Sequence, residues 1–155
     1  PDGKLAQRPI EALSKLRREN YTVSDMNLVD SSHLIHGIEG NMLEIKVAFI
    51  PGTAKEFGLR MCRSEDGTRF VPISFDGQHL VVSGERIPAD LMLGESALRL
   101  HIFLDQYIME VFANNWVVYT KSISVPPADL GIELFSDGGR TTVKNLDIWK
   151  MASIW

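Results

Sequence analysis

Four histidines, His33, His36, His79 and His101, and one cysteine, Cys62, are the imidazole and thiol side chains of this 155-residue sequence that could hold a metal or act as a nucleophile. His33 and His36 stand three apart, a spacing that suits a metal on a helix, but the residues around them lack helical periodicity. No histidine lies near the cysteine, so no zinc set forms and no metal is expected. No Gly-x-Ser-x-Gly elbow and no glycine-rich phosphate loop occurs. Carboxylates remain. Asp105, Glu110, Glu133 and Asp147 all lie in or beside runs of β-forming residues, and glycoside hydrolysis needs two such groups, one acid and one nucleophile or base. Glu110 shares its face with Ile108 and Phe112, a setting that can raise a carboxyl pKa; the alternative is a structural bond across the sheet. Trp116, Tyr119, Trp149 and Trp155 could stack on sugar rings or pack against a partner domain, and Trp116 and Tyr119 are the carbohydrate-binding candidates.

The elements that must position these residues are strands. Leu43, Ile45, Val47 and Phe49 alternate with Glu44 and Lys46, so Met42–Ile50 reads as a half-buried strand. Phe57, Leu59 and Met61 give the next inward face, then Val71, Ile73 and Phe75, with Pro72 suggesting an edge or a bulge. Asp66-Gly67 and Asp76-Gly77 mark turns, and Leu80–Val82 follows. Residues 84–97 read as a loop. Leu98, Leu100, Ile102 and Leu104 then alternate with Arg99, His101 and Phe103, and Asn114-Asn115 separates two β-rich runs as a hairpin turn does. Gly131–Phe135 and Val143–Trp149 read as two further strands joined at Asp137-Gly138-Gly139. Tyr21–His36 has no clear period. Short strands with turns every eight to twelve residues predict an all-β, two-sheet antiparallel sandwich.

Residues 1–20 differ. Pro9 and the run to Arg18 predict a short helix with Pro near its first position, and Ile10, Leu13 and Leu16 form a narrow apolar stripe. The expected organisation is a linker over residues 1–20 and a sandwich over 21–155.

Composition is that of an ordinary globular domain: 45% apolar, 23% charged, net charge −4. With 16 basic and 20 acidic residues and no basic cluster interleaved with aromatics, nucleic acid and anionic membranes are poor partners. No apolar run approaches the roughly 20 residues that span a bilayer, and no signal peptide opens the sequence. A start at Pro1 without Met fits a chain that begins inside a longer product. Extracellular and cytoplasmic placements both stay open. Cys62, a lone thiol in an apolar run, is expected to be buried and inert.

Leu100–Asp105, Met109–Asn114, Gly131–Gly139 and Leu146–Trp149, with the opening Gly3–Pro9 and Glu11–Arg17, together resemble the C-terminal module of glycoside hydrolase family 32, the invertases, levanases and inulinases. The turn departs from the family pattern, with Asn115-Trp116 where a Gly is common. The resemblance implies a lectin-like sandwich packed against a five-bladed β-propeller that carries the catalysis. The family's Asn-Asp-Pro, Arg-Asp-Pro and Glu-Cys motifs are absent here, so no catalytic residue carries over and no cofactor is implied. Asp105 and Glu110 match sandwich positions whose implied role is structural. The expected partner is the propeller of the same gene product, met through Leu5, Pro9, Ile10, Leu13, Leu16, Ile148 and Trp149, with oligomerisation a further role. A lectin-like module without a hydrolase partner is the alternative. A self-contained hydrolase using Asp105 or Glu110 is a lesser one.

Overall fold

A computed structural model describes residues 6–88 and 95–153. It contains one 3₁₀ helix, Glu11–Leu16, and strands β1 (Arg17–Leu34), β2 (Met42–Pro51), β3 (Glu56–Arg63), β4 (Val71–Phe75), β5 (His79–Val82), β6 (Glu85–Pro88), β7 (Leu98–Asp105), β8 (Ile108–Ala113), β9 (Val117–Ser122) and β10 (Gly131–Met151). All pairings are antiparallel, in the order β6-β5-β4-β3-β10-β2-β7-β8-β9, with β1 along the other side of β10.

Two sheets arise because β1 and β10 are long and bent. The first part of β10 pairs with β3 and its second part with β2, so the β1–β10 ribbon belongs to both sheets. Sheet I is β6-β5-β4-β3 and the start of β10; sheet II is β9-β8-β7-β2 and the rest of β10. Strands that switch sheets through bends are a known way to turn a sandwich corner. Asp137-Gly138-Gly139 is therefore a bend inside one strand and not the hairpin connection its composition suggests. Gly138 and Gly139 have φ of 69° and 141°, and a Cβ on Gly139 would stand 2.5 Å from the Thr53 carbonyl oxygen. Only glycine fits there. The Gly139 N–H donates to Asp30 Oδ1 at 2.9 Å, which ties the bend in β10 to the bulge at Asp30 in β1.

The illegible stretch after residue 20 is the 18-residue β1, paired with β10 along its length. Its pattern was hidden because the register shifts between Arg17 and Asn20 and again at Asp30, and because Asp25 and Asp30 stand at positive φ, so the inside–outside alternation is interrupted. Pro72 is not on an edge, since β4 lies between β3 and β5. Its carbonyl accepts from Ser83 N–H at 2.9 Å, beyond the last β4–β5 pair, so its missing N–H falls where that ladder has ended. Residues 85–88, expected as loop, form β6, while 89–94 lie outside the described residues.

One apolar cluster fills the space between the sheets, drawing Leu43, Ile45, Val47 and Phe49 from β2, Leu59 and Ile73 from sheet I, and Leu100, Ile102, Met109 and Val111 from sheet II. Burying each such side chain fully stabilises the fold by about 1.5–3 kcal/mol. Cys62 belongs to this core, and its burial, with Asp129 nearby, pushes the thiol up to about 11. The thiol is therefore protonated at neutral pH. On the side opposite the ribbon, Glu85 of β6 accepts from Tyr119 and Lys121 of β9, joining the two free sheet edges.

Candidate functional site

The outer face of sheet II carries the most organised polar chemistry of the chain. Register fixes it. Glu44 on β2 lies opposite Trp149 on β10 and Phe103 on β7, and Lys46 lies opposite Asp147 and His101. One row thus reads Trp149, Glu44, Phe103, Glu110, Thr120, and the next Asp147, Lys46, His101, Phe112, Val118.

Glu44 points away from the sandwich core yet is only 1% exposed. The segment before β1 folds back across this face and covers it. Arg17, the first residue of β1, grips the carboxylate with both arms of its guanidinium, Nε to Oε2 and Nη2 to Oε1, each at 2.7 Å. His101 Nε2 meets Oε1 at 2.7 Å. Burial works against the charged form, but these bonds and the Arg17 charge prevail and hold the Glu44 carboxyl at about 2. The same bond raises Arg17. Each partner is itself oriented by an aromatic ring. The Arg17 guanidinium stacks 4.0 Å from the centre of the Trp149 ring, and His101 lies 4.8 Å from Phe103 and 6.1 Å from Phe112.

The covering segment is held at both ends. Gln7 N–H donates to the Asn115 carbonyl at 3.0 Å, and the Leu16 carbonyl accepts from Ala152 N–H at 2.8 Å. The expected short helix is a 3₁₀ helix, and Pro9 stands immediately before its N-cap, Ile10. In a 3₁₀ helix residues three apart eclipse. Leu13 and Leu16 accordingly share a face and line an apolar cavity of about 480 Å³ with Met42, Phe103, Leu104 and Ile108. Ile10 lies outside the helix, 70% exposed, and does not join that stripe. A second, polar cavity of about 560 Å³ lies between the segment and the sheet, lined among others by Arg8, Ser14, Arg17, Glu44, Lys46 and His101.

The other sequence-derived residues fall as follows. Leu5 and Trp155 lie outside the described residues. Pro9 is half-buried at the polar cavity. Ile148 is fully buried, facing the core as β10 alternates, so it offers no surface to another domain; Trp149, one residue on, is half-buried on the outer face. Trp116 is 40% exposed at the β8–β9 turn. Tyr119 leans on the core and gives its hydroxyl to Glu85. Asn114 and Asn115 both have positive φ, 46° and 59°, and Trp116 N–H donates to the Ala113 carbonyl at 3.0 Å, so the pair forms the expected hairpin turn.

The carboxylates do not all converge: Asp105 and Glu110 both line the apolar cavity of about 480 Å³, whereas Glu133 lies on the other sheet. Glu133 sits on sheet I, where Arg60 Nη1 at 2.9 Å and Arg63 Nε at 3.4 Å flank it; against its burial, the Arg60 bond leads in lowering its pKa. Asp105 and Glu110 sit on sheet II. Among the described residues no three His, Cys, Asp or Glu side chains come together as a metal set. Reading from sequence placed Glu44 and Lys46 on the outward face, correctly, but left Glu44 in solvent. The available signal was Arg17, a guanidinium at the junction of the leading segment and the first strand.

The folded-back segment and the bent two-sheet body define a lectin-like β-sandwich module. Residues 12–150 match the family model for glycosyl hydrolases family 32, C terminal, and the chain belongs to that family. It is 32% identical to a levanase of Bacillus sp. (strain L7) over 98% of its own length and 18% of that protein, and 26% identical to a levanbiose-producing levanase of Bacillus subtilis (strain 168), over 97% and 32%. It thus spans about a fifth to a third of these curated relatives. The fold is shared with fructan 1-exohydrolase IIa from Cichorium intybus (TM-score 0.83, 17% identity, 96% of this chain and 38% of that one). Exo-inulinase from Aspergillus awamori shares it too (TM-score 0.80, 21% identity, 98% and 33%).

Proposed function

We propose that this chain is the non-catalytic C-terminal sandwich of a β-fructosidase-type glycoside hydrolase, and that it supports a catalytic propeller lying N-terminal to it. The observation that carries this reading is proportion: nearly the whole chain aligns with 18% of one levanase and 32% of another. The chain would meet the propeller through the linker, with Pro9, exposed Ile10 and Trp149 on the contact side, and with residues 1–20 as the connection. Leu13 and Leu16 support the linker from beneath. Sucrose, levan and inulin are the substrate class of the parent. The pure 155-residue chain should release no fructose from any of the three. Turnover by it, measured as reducing sugar, would overturn the reading.

A second reading, a lectin-like module that holds a glycan, draws on the exposure of Trp116 at the β8–β9 turn. Titration with fructan oligosaccharides, following tryptophan fluorescence in the wild type and in Trp116→Ala, tests it. A flat wild-type response rejects it.

A further inference from the structure

The linker has little apolar packing to fix its course. No residue of the 3₁₀ helix is buried, and the polar cavity of about 560 Å³ separates much of the segment from the sheet. What fixes it is directional. The Arg17–Glu44–His101 cluster joins the end of the linker to the middle of sheet II through bonds of 2.7 Å to a single carboxylate. An outward side chain on a sheet face is ordinarily solvated, and burying a carboxylate is costly unless its partners are well placed. Bidentate arginine bonding is demanding in both distance and plane. Trp149 beneath Arg17 and the Phe103–Phe112 pair around His101 remove the freedom of either partner to shift.

We infer that Arg17, Glu44 and His101 form a positioning clamp that sets the direction in which the linker crosses sheet II. Resting on the proposed function, the clamp also sets the seat of the catalytic part on the sandwich. These are positioning residues; none touches substrate.

Two variants test it. Glu44→Gln keeps the size of the side chain and removes its charge. Arg17→Lys keeps a cation and removes the bidentate fork; because Arg17 is partly exposed, this variant serves even where Glu44→Gln does not fold. In hydrogen exchange on the full chain, the amides of Gln7, Leu13 and Ala152 should exchange about tenfold faster in either variant through local opening, while those of β3 rise by no more than the loss of global stability that urea unfolding of the same variant reports. Unchanged linker exchange in a folded variant overturns the clamp. In the intact parent, small-angle scattering should report a changed or broadened arrangement of the two parts for both variants. An unchanged profile overturns the seating role, even where exchange rises. Fructose release by the isolated chain would overturn the module reading instead, and leaves the exchange result to decide the clamp alone.

Discussion

Glu44 should make this chain acid-sensitive in a defined window. Its carboxyl is held at about 2 in the folded chain against an ordinary 4.5. Because the folded value is the lower one, the unfolded chain takes up this proton first as pH falls. The stabilisation is complete above about pH 5, drains away between 4.5 and about 2, and is gone below. At about 1.4 kcal/mol per pH unit of displacement it amounts to about 3 kcal/mol. Removing one partner of a buried ion pair costs a similar amount, about 3–5 kcal/mol. Glu44→Gln should therefore be about 3 kcal/mol less stable than wild type at pH 7, and the gap should close towards zero by pH 2. Urea unfolding at half-unit pH steps, followed by tryptophan fluorescence, measures both curves. Asp76 and Glu133 also have lowered carboxyl pKa values and lose stabilisation in acid, but both chains share those losses and they cancel in the difference. A gap that stays constant from pH 7 to 2.5 would refute the claim that charge pairing, and not shape, holds this site.

Three further outcomes are expected. Gly58→Ala should cost about 3 kcal/mol or more, read as a lowered melting temperature, because a Cβ there would stand 2.1 Å from the Ile73 carbonyl oxygen and 2.6 Å from Ser74 Cα across the β3–β4 pair. Ile148→Ala should cost about 2–5 kcal/mol in urea unfolding, whereas Ile10→Ser should stay within about 0.5 kcal/mol in this chain; equal effects would contradict the inward placement of Ile148. Asn114→Ala should cost about 2 kcal/mol, from the strain of its φ of 46° and the loss of its side-chain bond to Arg99 N–H at 2.6 Å, while Asn115→Gly, at φ 59°, should be neutral or slightly stabilising in the same calorimetric scan.

Much of the fold was legible because most strands obey period two. Leu43, Ile45, Val47 and Phe49, and Leu98, Leu100, Ile102 and Leu104, all face inward as alternation predicts, and Asn114-Asn115 marks its turn by residue type. Legibility failed where local rules were interrupted. Register shifts before Asn20 and at Asp30, with positive φ at Asp25 and Asp30, broke the alternation of β1, and Gly138-Gly139 looked like a turn because glycine serves sharp bends and hairpins alike. Pro72 misled because its missing donor matters only where a neighbouring strand still needs it. The site was harder. Ile148 and Trp149 are adjacent in sequence and face opposite ways, so grouping them as one contact could not survive the pleat.

By itself the sequence determined the all-β class, the inward faces of β2, β3 and β7, and the strand-and-turn pattern that resembles family 32. Those depend on interactions between near neighbours and on the alternation of the chain with water. Only tertiary structure decided that Glu44 is buried, that Arg17 and His101 reach it, and that the leading segment lies across sheet II. Those three side chains are separated by 27 and 57 residues along the chain. No local period links them. They meet because strand register sets Glu44 between Trp149 and Phe103 and because the linker folds back, placing a guanidinium over a carboxylate that alternation alone assigns to solvent.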